Sequence, residues 1–195
     1  MIEKDIIAHA KAEGAGESCG LISGDRYFPC RNIHPDPQNY FEINPDDWMT
    51  AECYSDVKAI VHSHPDGKPF LSSGDRTIQR KTNLPWWLVC DGVIHKFRPI
   101  APLLGREFKH GEQDCYSIIR DAYHLSGIQL DDFIRPDEWW YTEQNLYLDN
   151  TDKQGFYQVE EAQEGDMILI CLGTSKPCHA ALYLGNQEIL DRKSV

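Results

Sequence analysis

Two histidines separated by one residue, His62 and His64, are the first feature of this sequence that indicates chemistry. They lie at the end of an apolar run, residues 57–62, that predicts a buried strand, and side chains two residues apart on a strand share one face. Asp75 follows eleven residues after His64, near the start of a predicted helix. Two histidines and a carboxylate supply three ligands and leave a fourth position open, which is typical of catalytic zinc. The spacing therefore predicts a Zn²⁺ site.

A zinc site that hydrolyses an amide also needs a proton acceptor, and Glu17 is the candidate. It stands just before a predicted strand, residues 19–23. The competing interpretation is that the histidines are ordinary polar residues leading into a turn, and a bare His-X-His motif favours it. The complete set favours zinc, because Pro65 follows the histidines, Ser72 lies three residues before Asp75, and Glu17 precedes Cys-Gly-Leu.

This set resembles the JAMM (MPN/JAB) zinc metallopeptidases, and the likeness covers about residues 1–98. The resemblance implies an α/β sandwich related to the cytidine deaminases, and hydrolysis of peptide or isopeptide bonds. It implies roles for five residues: zinc ligands His62, His64 and Asp75, general acid/base Glu17, and Ser72, which steadies the oxyanion of the tetrahedral intermediate. Deamination is the weaker interpretation. Zinc deaminases carry His-X-Glu and a later Pro-Cys-X-X-Cys, and neither Pro-Cys here is followed by a cysteine at that spacing.

Cys115 and His179 form a second candidate pair. Cys115 stands at the start of a predicted helix, just after Asp114, where the positive end of the helix dipole favours a thiolate. His179 begins a predicted strand far downstream, as a base for a cysteine nucleophile often does. The chain has seven cysteines, so an unreactive buried thiol is the competing interpretation for Cys115. An odd number without a Cys-X-X-Cys pair argues against a disulfide scaffold.

Three segments of the second half resemble the NlpC-type, papain-like peptidoglycan endopeptidases over about residues 106–191. They are Gly-Glu-Gln-Asp-Cys at 111–115, Glu-Gly-Asp-Met-Ile at 164–168 and His-Ala-Ala-Leu-Tyr-Leu-Gly at 179–185. The resemblance implies that Cys115 is the nucleophile and His179 the general base. The family has a third polar residue, often another histidine, that orients the base. Asp191 stands at that place here.

Hydrophobic periodicity and turn residues predict the elements that position these side chains. Helices are predicted at residues 5–13, 45–54, 73–82 and 114–125, and strands at 19–23, 27–33, 57–62, 86–90, 93–98, 167–172 and 179–185. Prolines and a glycine predict a linker at 101–106. We therefore expect an α/β domain at 1–100 and an α+β domain at 107–195, for which the resemblance to the NlpC-type family implies a papain-like fold. The end at Val195 leads us to expect a C-terminally truncated second domain.

Residues 131–166 are acidic and aromatic and are expected to be irregular. The aromatic stretch at 138–141, with Phe133 and Tyr147, is expected to pack in a small core or a protein contact, in preference to lining a glycan or peptide groove.

Composition limits the partners. The chain has 19 Lys plus Arg against 31 Asp plus Glu, a net charge of −12. Residues 105–195 hold 8 basic and 17 acidic residues, so they carry −9 of that charge. Such acidity argues against binding of nucleic acid or an anionic membrane surface. No apolar run approaches the ~20 residues that span a bilayer. The N-terminus lacks a signal-peptide pattern, so we expect synthesis and folding in the cytoplasm.

The two likenesses, in this order, together resemble the tail assembly protein K family of lambda-type phages. This resemblance implies a phage or prophage tail-tip component, made in the host cytoplasm and incorporated into the virion tail, that locally cleaves peptidoglycan. Its partners would be a peptidoglycan stem peptide or another (iso)peptide substrate, and phage tail-tip proteins. The alternative is a structural tail-assembly component in which one or both sites are vestigial.

Overall fold

The computed structural model describes residues 2–192, and the chain divides into two compact units, Met1–Ala101 and Pro102–Val195. Arg106, from the predicted linker, is buried and belongs to the second unit. Its guanidinium donates to the carbonyl oxygen of Pro102 and to the carboxylate of Asp121, both at 2.6 Å. The domain boundaries at residues 100 and 107 stay predictions.

The first unit is a mixed α/β structure around a five-stranded sheet. Its elements are α1 (Ile2–Glu13), β1 (Cys19–Ser23), β2 (Arg26–Cys30), α2 (Pro45–Tyr54), β3 (Val57–Ser63), α3 (Ser73–Thr82), β4 (Trp86–Cys90) and β5 (Val93–Phe97). The strand order is β2-β1-β3-β4-β5, and β3 and β4 are the parallel pair. The predicted hairpin between β4 and β5 is confirmed. Asp91 and Gly92 both have positive φ, as a type I′ turn requires.

Strand β3 separates two apolar clusters because its side chains alternate between the faces of the sheet. Ala59 and Val61 pack with residues of α1 on one face. Ile60 packs on the other face with residues of α2, β1 and β4. By the same alternation His62 lies on the face of Ile60, where its ring stacks on Phe41 and contacts Trp86 edge-on. The sheet therefore fixes the direction in which the first predicted zinc ligand points.

The second unit combines helices with a three-stranded antiparallel sheet of order β6-β7-β8. Its elements are α4 (Cys115–Leu125), a 3-10 turn (Trp139–Tyr141), α5 (Leu146–Lys153), β6 (Met167–Ile170), β7 (His179–Gly185) and β8 (Glu188–Leu190). Helix α4 packs on β7, where Ile118 and Ile119 share an apolar cluster with Ala180 and Leu182. The cluster holds the starts of α4 and β7 in one region of the unit.

Some sequence predictions were wrong in detail. Helix α1 begins at Ile2, three residues earlier than predicted, because Ile2 packs against the cluster that contains Ile6. Strand β2 ends at Cys30 and β6 at Ile170, so both are shorter than predicted. Residues 131–166 are not wholly irregular, since they contain α5. Across residues 2–192, no helix has the length and apolar character needed to cross a membrane.

Candidate active sites

The end of β3 is held on both sides, which fixes the two histidines. His62 pairs with Cys19 of β1 and with Leu88 of β4. The Ser63 amide donates to the Ser18 carbonyl at 3.1 Å. The His64 amide donates to the carbonyl of Val89 in β4 at 2.9 Å. His64 is thus anchored by its backbone although it lies one residue beyond the strand.

Asp75 is placed by a capping box at the start of α3. The Ser72 hydroxyl oxygen accepts from the Asp75 amide at 3.1 Å, and the Ser72 amide donates to Asp75 Oδ2 at 2.8 Å. This reciprocal arrangement satisfies two backbone donors that a helix N-terminus otherwise leaves unpaired. It also restricts the Asp75 side chain to one orientation.

His62, His64 and Asp75 converge on one point. The two histidine Nε2 atoms lie 3.1 Å apart, and Asp75 Oδ2 lies 3.6 Å from His62 Nε2 and 3.4 Å from His64 Nε2. Ligand atoms about 2.1 Å from a tetrahedral zinc ion are about 3.4 Å from each other. All three side chains are buried. Their geometry therefore fits three corners of a tetrahedral zinc site.

The hydrogen bonds around the histidines favour metal binding by one of them in particular. Nδ1 of His64 lies 2.9 Å from the carbonyl oxygen of Lys68, which only accepts, so Nδ1 carries the hydrogen. The lone pair of His64 is then on Nε2, towards the convergence point. Nδ1 of His62 is buried without a hydrogen-bond partner among residues 2–192.

The charges suit a cation. Burial opposes ionisation of Asp75, but hydrogen bonds with His62 and His64 outweigh burial and lower the pKa of this carboxyl. Burial lowers the pKa of His62, which favours its neutral, metal-binding form. The cluster therefore offers one anionic ligand and one neutral imidazole to a divalent metal.

Glu17 is brought beside this cluster by the backbone that follows it. Ser18, the residue after Glu17, donates its amide to the Ser63 hydroxyl oxygen at 2.8 Å. Ser63 lies between His62 and His64 in the chain, so this bond holds the backbone next to Glu17 against the end of β3. Glu17 is 8% exposed. Burial raises the pKa of its carboxyl to about 7. A carboxyl with this pKa can both accept and return a proton near neutral pH.

Cys115 is the first residue of α4, and a buried ion pair fixes Asp114, the residue before it. Asp114 caps the helix by accepting from the Ser117 amide at 2.9 Å. Its other oxygen accepts from Arg135 Nε at 2.7 Å and from the Gly111 amide at 2.9 Å. Both members of the ion pair are almost fully buried. The Cys115 thiol therefore lies at the positive end of the helix dipole.

His179 and Asp191 are brought together by the β7–β8 hairpin. His179 Nε2 lies 2.5 Å from Asp191 Oδ1. This contact leaves Nδ1 as the ring nitrogen for a second partner. Interaction with the Cys115 side chain is the largest cause that raises the pKa of His179, and Asp191 adds to it. The structure therefore brings together all three residues predicted for this site.

Two neighbours of Cys115 were not placed at this site by sequence reasoning. One is Arg135, described above. The other is Tyr147 of α5, whose hydroxyl oxygen lies 3.0 Å from the Cys115 sulfur. Burial raises the pKa of Tyr147, so its hydroxyl keeps its proton. The only available signal was the acidic and aromatic character of residues 131–166. It shows no periodicity that would place either side chain.

Comparison with known proteins identifies both units. Residues 2–100 match the family model of prokaryotic homologs of the JAB domain, and residues 105–195 match the NlpC/P60 family. The tail tip assembly protein K of Escherichia phage lambda is 54% identical over 150 residues, which cover 76% of this chain and 75% of the relative. The corresponding protein of Escherichia phage N15 is 34% identical over 197 residues, which cover 95% and 81%.

The chain belongs to the tail tip assembly protein K family. The predicted family and the predicted fold class, a JAB-like unit followed by an NlpC-type unit, are thereby confirmed. The desampylase of Haloferax volcanii is 28% identical over 87 residues, which cover 36% of this chain and 63% of that relative. Both domain families are peptidase families.

Proposed function

We propose that this chain is a two-site peptidase of a phage tail tip. The first unit would hydrolyse a peptide or isopeptide bond with zinc, and the second would cleave peptidoglycan stem peptides with a cysteine. The observation that carries the proposal is the convergence of His62, His64 and Asp75 at tetrahedral spacing. Membership of both units in peptidase families supports it.

In the first site, His62, His64 and Asp75 would hold the metal. Zinc there would supply Lewis-acid chemistry, which polarises the scissile carbonyl and acidifies a water molecule. Glu17 accepts the proton of the attacking water and passes it to the leaving amine, for which a pKa of about 7 is suitable. The Ser72 hydroxyl is assigned to the oxyanion, in addition to its capping role.

In the second site, the thiol proton of Cys115 moves to Nδ1 of His179 while the sulfur attacks the carbonyl carbon of the substrate. The C–N bond then breaks, and the amine leaves with the proton from His179. Water hydrolyses the resulting thioester and restores the thiol. Asp191 holds the imidazole in orientation and stabilises its charged form, as carboxylates do in related triads.

Digestion of purified peptidoglycan and free stem peptides tests both sites. We expect Glu17→Gln to remove one set of products and Cys115→Ala another, and the double variant to release no fragments. Glu13→Gln and Cys171→Ala are matched controls because both side chains are exposed. Elemental analysis should give one zinc per chain in wild type and in Glu17→Gln. A zinc-loaded wild type that releases nothing would overturn the peptidase proposal.

Ser72 offers a narrower test of the first site. Loss of an N-cap hydroxyl costs about 1 kcal/mol of stability, whereas loss of an oxyanion donor lowers kcat by about 10²–10³-fold. We expect Ser72→Ala to show both effects at saturating zinc, and Ser73→Ala to show neither. A stability loss without a fall in kcat would leave Ser72 with its capping role alone.

The second candidate function is structural, and the names of the phage relatives favour it, since they describe assembly of the tail tip. In that case the chain would be made in the host cytoplasm, bind tail-tip proteins, and keep one or both sites as vestiges. A phage that carries Glu17→Gln and Cys115→Ala separates the functions. Normal numbers of complete tails with reduced infectivity would support the peptidase. Normal infectivity would support the structural role.

A further inference from the structure

A cavity of about 280 Å³ lies beside Cys115 and His179 in the second unit. Its charged lining residues are Asp114, Arg135 and Arg192. The walls also include Trp139 and Trp140, so the cavity combines flat apolar surface with a few charged groups. This combination is typical of small-ligand sites.

Two of the three charges neutralise each other. Asp114 and Arg135 form the buried ion pair at 2.7 Å. Further donors of Arg135 bond to Asp132, to the Phe133 carbonyl and to the Gly111 carbonyl. Four of the five N–H donors of Arg135 are thus used within the protein, so one remains for a ligand.

Arg192 differs from Arg135. Its Nε is buried and has no hydrogen-bond partner among residues 2–192. Asp191, its neighbour in sequence, already bonds to His179 through Oδ1. A buried donor of a charged group that lacks an acceptor is unfavourable, and an anionic ligand would relieve that cost. The cavity is thus lined by a cation that has an unpaired buried donor, in a unit whose net charge is −9 from 8 basic and 17 acidic residues.

We propose that Arg192 forms a carboxylate-binding subsite next to Cys115 and His179, so that the substrate of the second unit carries a free carboxylate near the bond that is cut. This proposal rests on the proposed cysteine peptidase function. A planar guanidinium matches the two oxygens of a carboxylate. The overall acidity of the unit opposes general attraction of anions, so recognition of an anionic peptide depends on this local contact.

Two alkylating reagents measure the subsite without any peptidase assay. Iodoacetate and iodoacetamide both alkylate the Cys115 thiolate, forming an S–C bond with loss of iodide, but only iodoacetate carries a carboxylate. We expect the rate with iodoacetate divided by the rate with iodoacetamide, both measured at Cys115, to fall about fivefold or more in Arg192→Met at low salt. We expect it to stay within about twofold of wild type in Arg192→Lys, which keeps the charge. The ratio cancels any change in the thiolate fraction, and the exposed Cys171 is the internal control.

A second readout does not depend on a reactive thiol. In the Cys115→Ala chain, the ¹⁵N–¹H signal of Arg192 Nε can be assigned by its loss in Arg192→Lys. We expect N-acetylglycine to shift this signal to saturation and N-acetylglycinamide, its neutral counterpart, to leave it in place. Equal responses to both compounds, or an unchanged alkylation ratio in a folded Arg192→Met chain, would overturn the subsite. Failure of the peptidase proposal appears separately, as an absence of peptide cleavage with the anion selectivity intact.

Discussion

The first candidate site is held mainly by backbone pairing and a helix cap, whereas the second, although it also lies at the starts of a helix and a strand, depends in addition on side-chain contacts. His62 is fixed by strand pairing on both sides of β3, and Asp75 by a helix capping box. Cys115 instead depends on a buried ion pair that reaches Arg135 in an irregular segment. His179 depends on Asp191, which lies just beyond the three-residue strand β8.

This difference predicts how each site fails. Backbone ladders distribute their support over many hydrogen bonds, so a single substitution in the first site should remove a ligand and leave the frame intact. A side-chain network concentrates support in a few buried polar groups, and such networks are sensitive to the loss of one member. We therefore expect a substitution in the first site to abolish its activity without destabilising the first unit. A substitution in the second site should reduce both the activity and the stability of the second unit.

The largest effect should be loss of zinc from the first unit. Asp75→Ala removes the anionic ligand, and we expect the zinc content to fall from one equivalent to less than about a tenth, because two imidazoles alone bind the ion poorly. Metal analysis after dialysis against a weak chelator measures the zinc that stays bound to each chain. Asp66→Ala is the matched control, since Asp66 is an exposed carboxylate near His64 that pairs with Lys68. Undiminished zinc in Asp75→Ala would break the assignment of this site.

The next largest effect should be loss of stability in the second unit. Arg135→Met leaves Asp114 buried without its partner, which costs about 3–5 kcal/mol. Lys109→Met is the control, because Lys109 and its partner Glu112 are both exposed and such pairs contribute about 0–1 kcal/mol. Hydrogen exchange of peptides from α4, measured in the full chain, reports this unit. Similar losses in the two variants would contradict the contrast between a side-chain network and a backbone frame.

The same ion pair predicts an acid sensitivity of α4. Burial opposes ionisation of Asp114, but the hydrogen bond from Arg135 outweighs it and lowers the pKa of the carboxyl. A folded pKa below the unfolded value of about 3.9 stabilises the fold above that pH, and the stabilisation is lost as pH falls through the folded pKa. We expect protection of α4, corrected for intrinsic exchange, to fall below about pH 4. Asp114→Asn should flatten this dependence, and an unchanged slope would exclude Asp114 as its source.

The contrast also explains which features the sequence could predict. His62, His64, Ser72 and Asp75 lie within fourteen residues, and their spacing follows strand and helix periods that are legible locally. The elements around them were predicted within a few residues for the same reason.

Arg135 and Tyr147 could not be predicted in this way. Helix α5 has only eight residues and no side-chain cap, so its local preference for helix is weak. It forms because Tyr147 is buried among aromatic neighbours from other parts of the unit. Such tertiary contacts leave no period in the sequence. The likeness to the NlpC family pointed to Cys115 and His179 but not to these two supports.

The smallest effect should come from Tyr147. Its hydroxyl keeps its proton because burial raises its pKa, so it donates to the sulfur once Cys115 is a thiolate. Removing one hydrogen bond to a charged group costs about 1.5–3 kcal/mol when the group is left unsolvated and less when water replaces it. The cavity beside Cys115 admits water, so we expect Tyr147→Phe to slow iodoacetamide alkylation of Cys115 at pH 7 by about three- to tenfold.

Tyr123→Phe is the matched control, because its hydroxyl donates to the Gly165 carbonyl, away from the thiol. The rate should converge with that of wild type at high pH, where the thiol ionises without help from a donor. A rate deficit that persisted at high pH would mean that Tyr147 acts on the access or position of Cys115. The second site would then depend on side-chain packing as well as on its hydrogen bonds, which would widen its difference from the backbone-built first site.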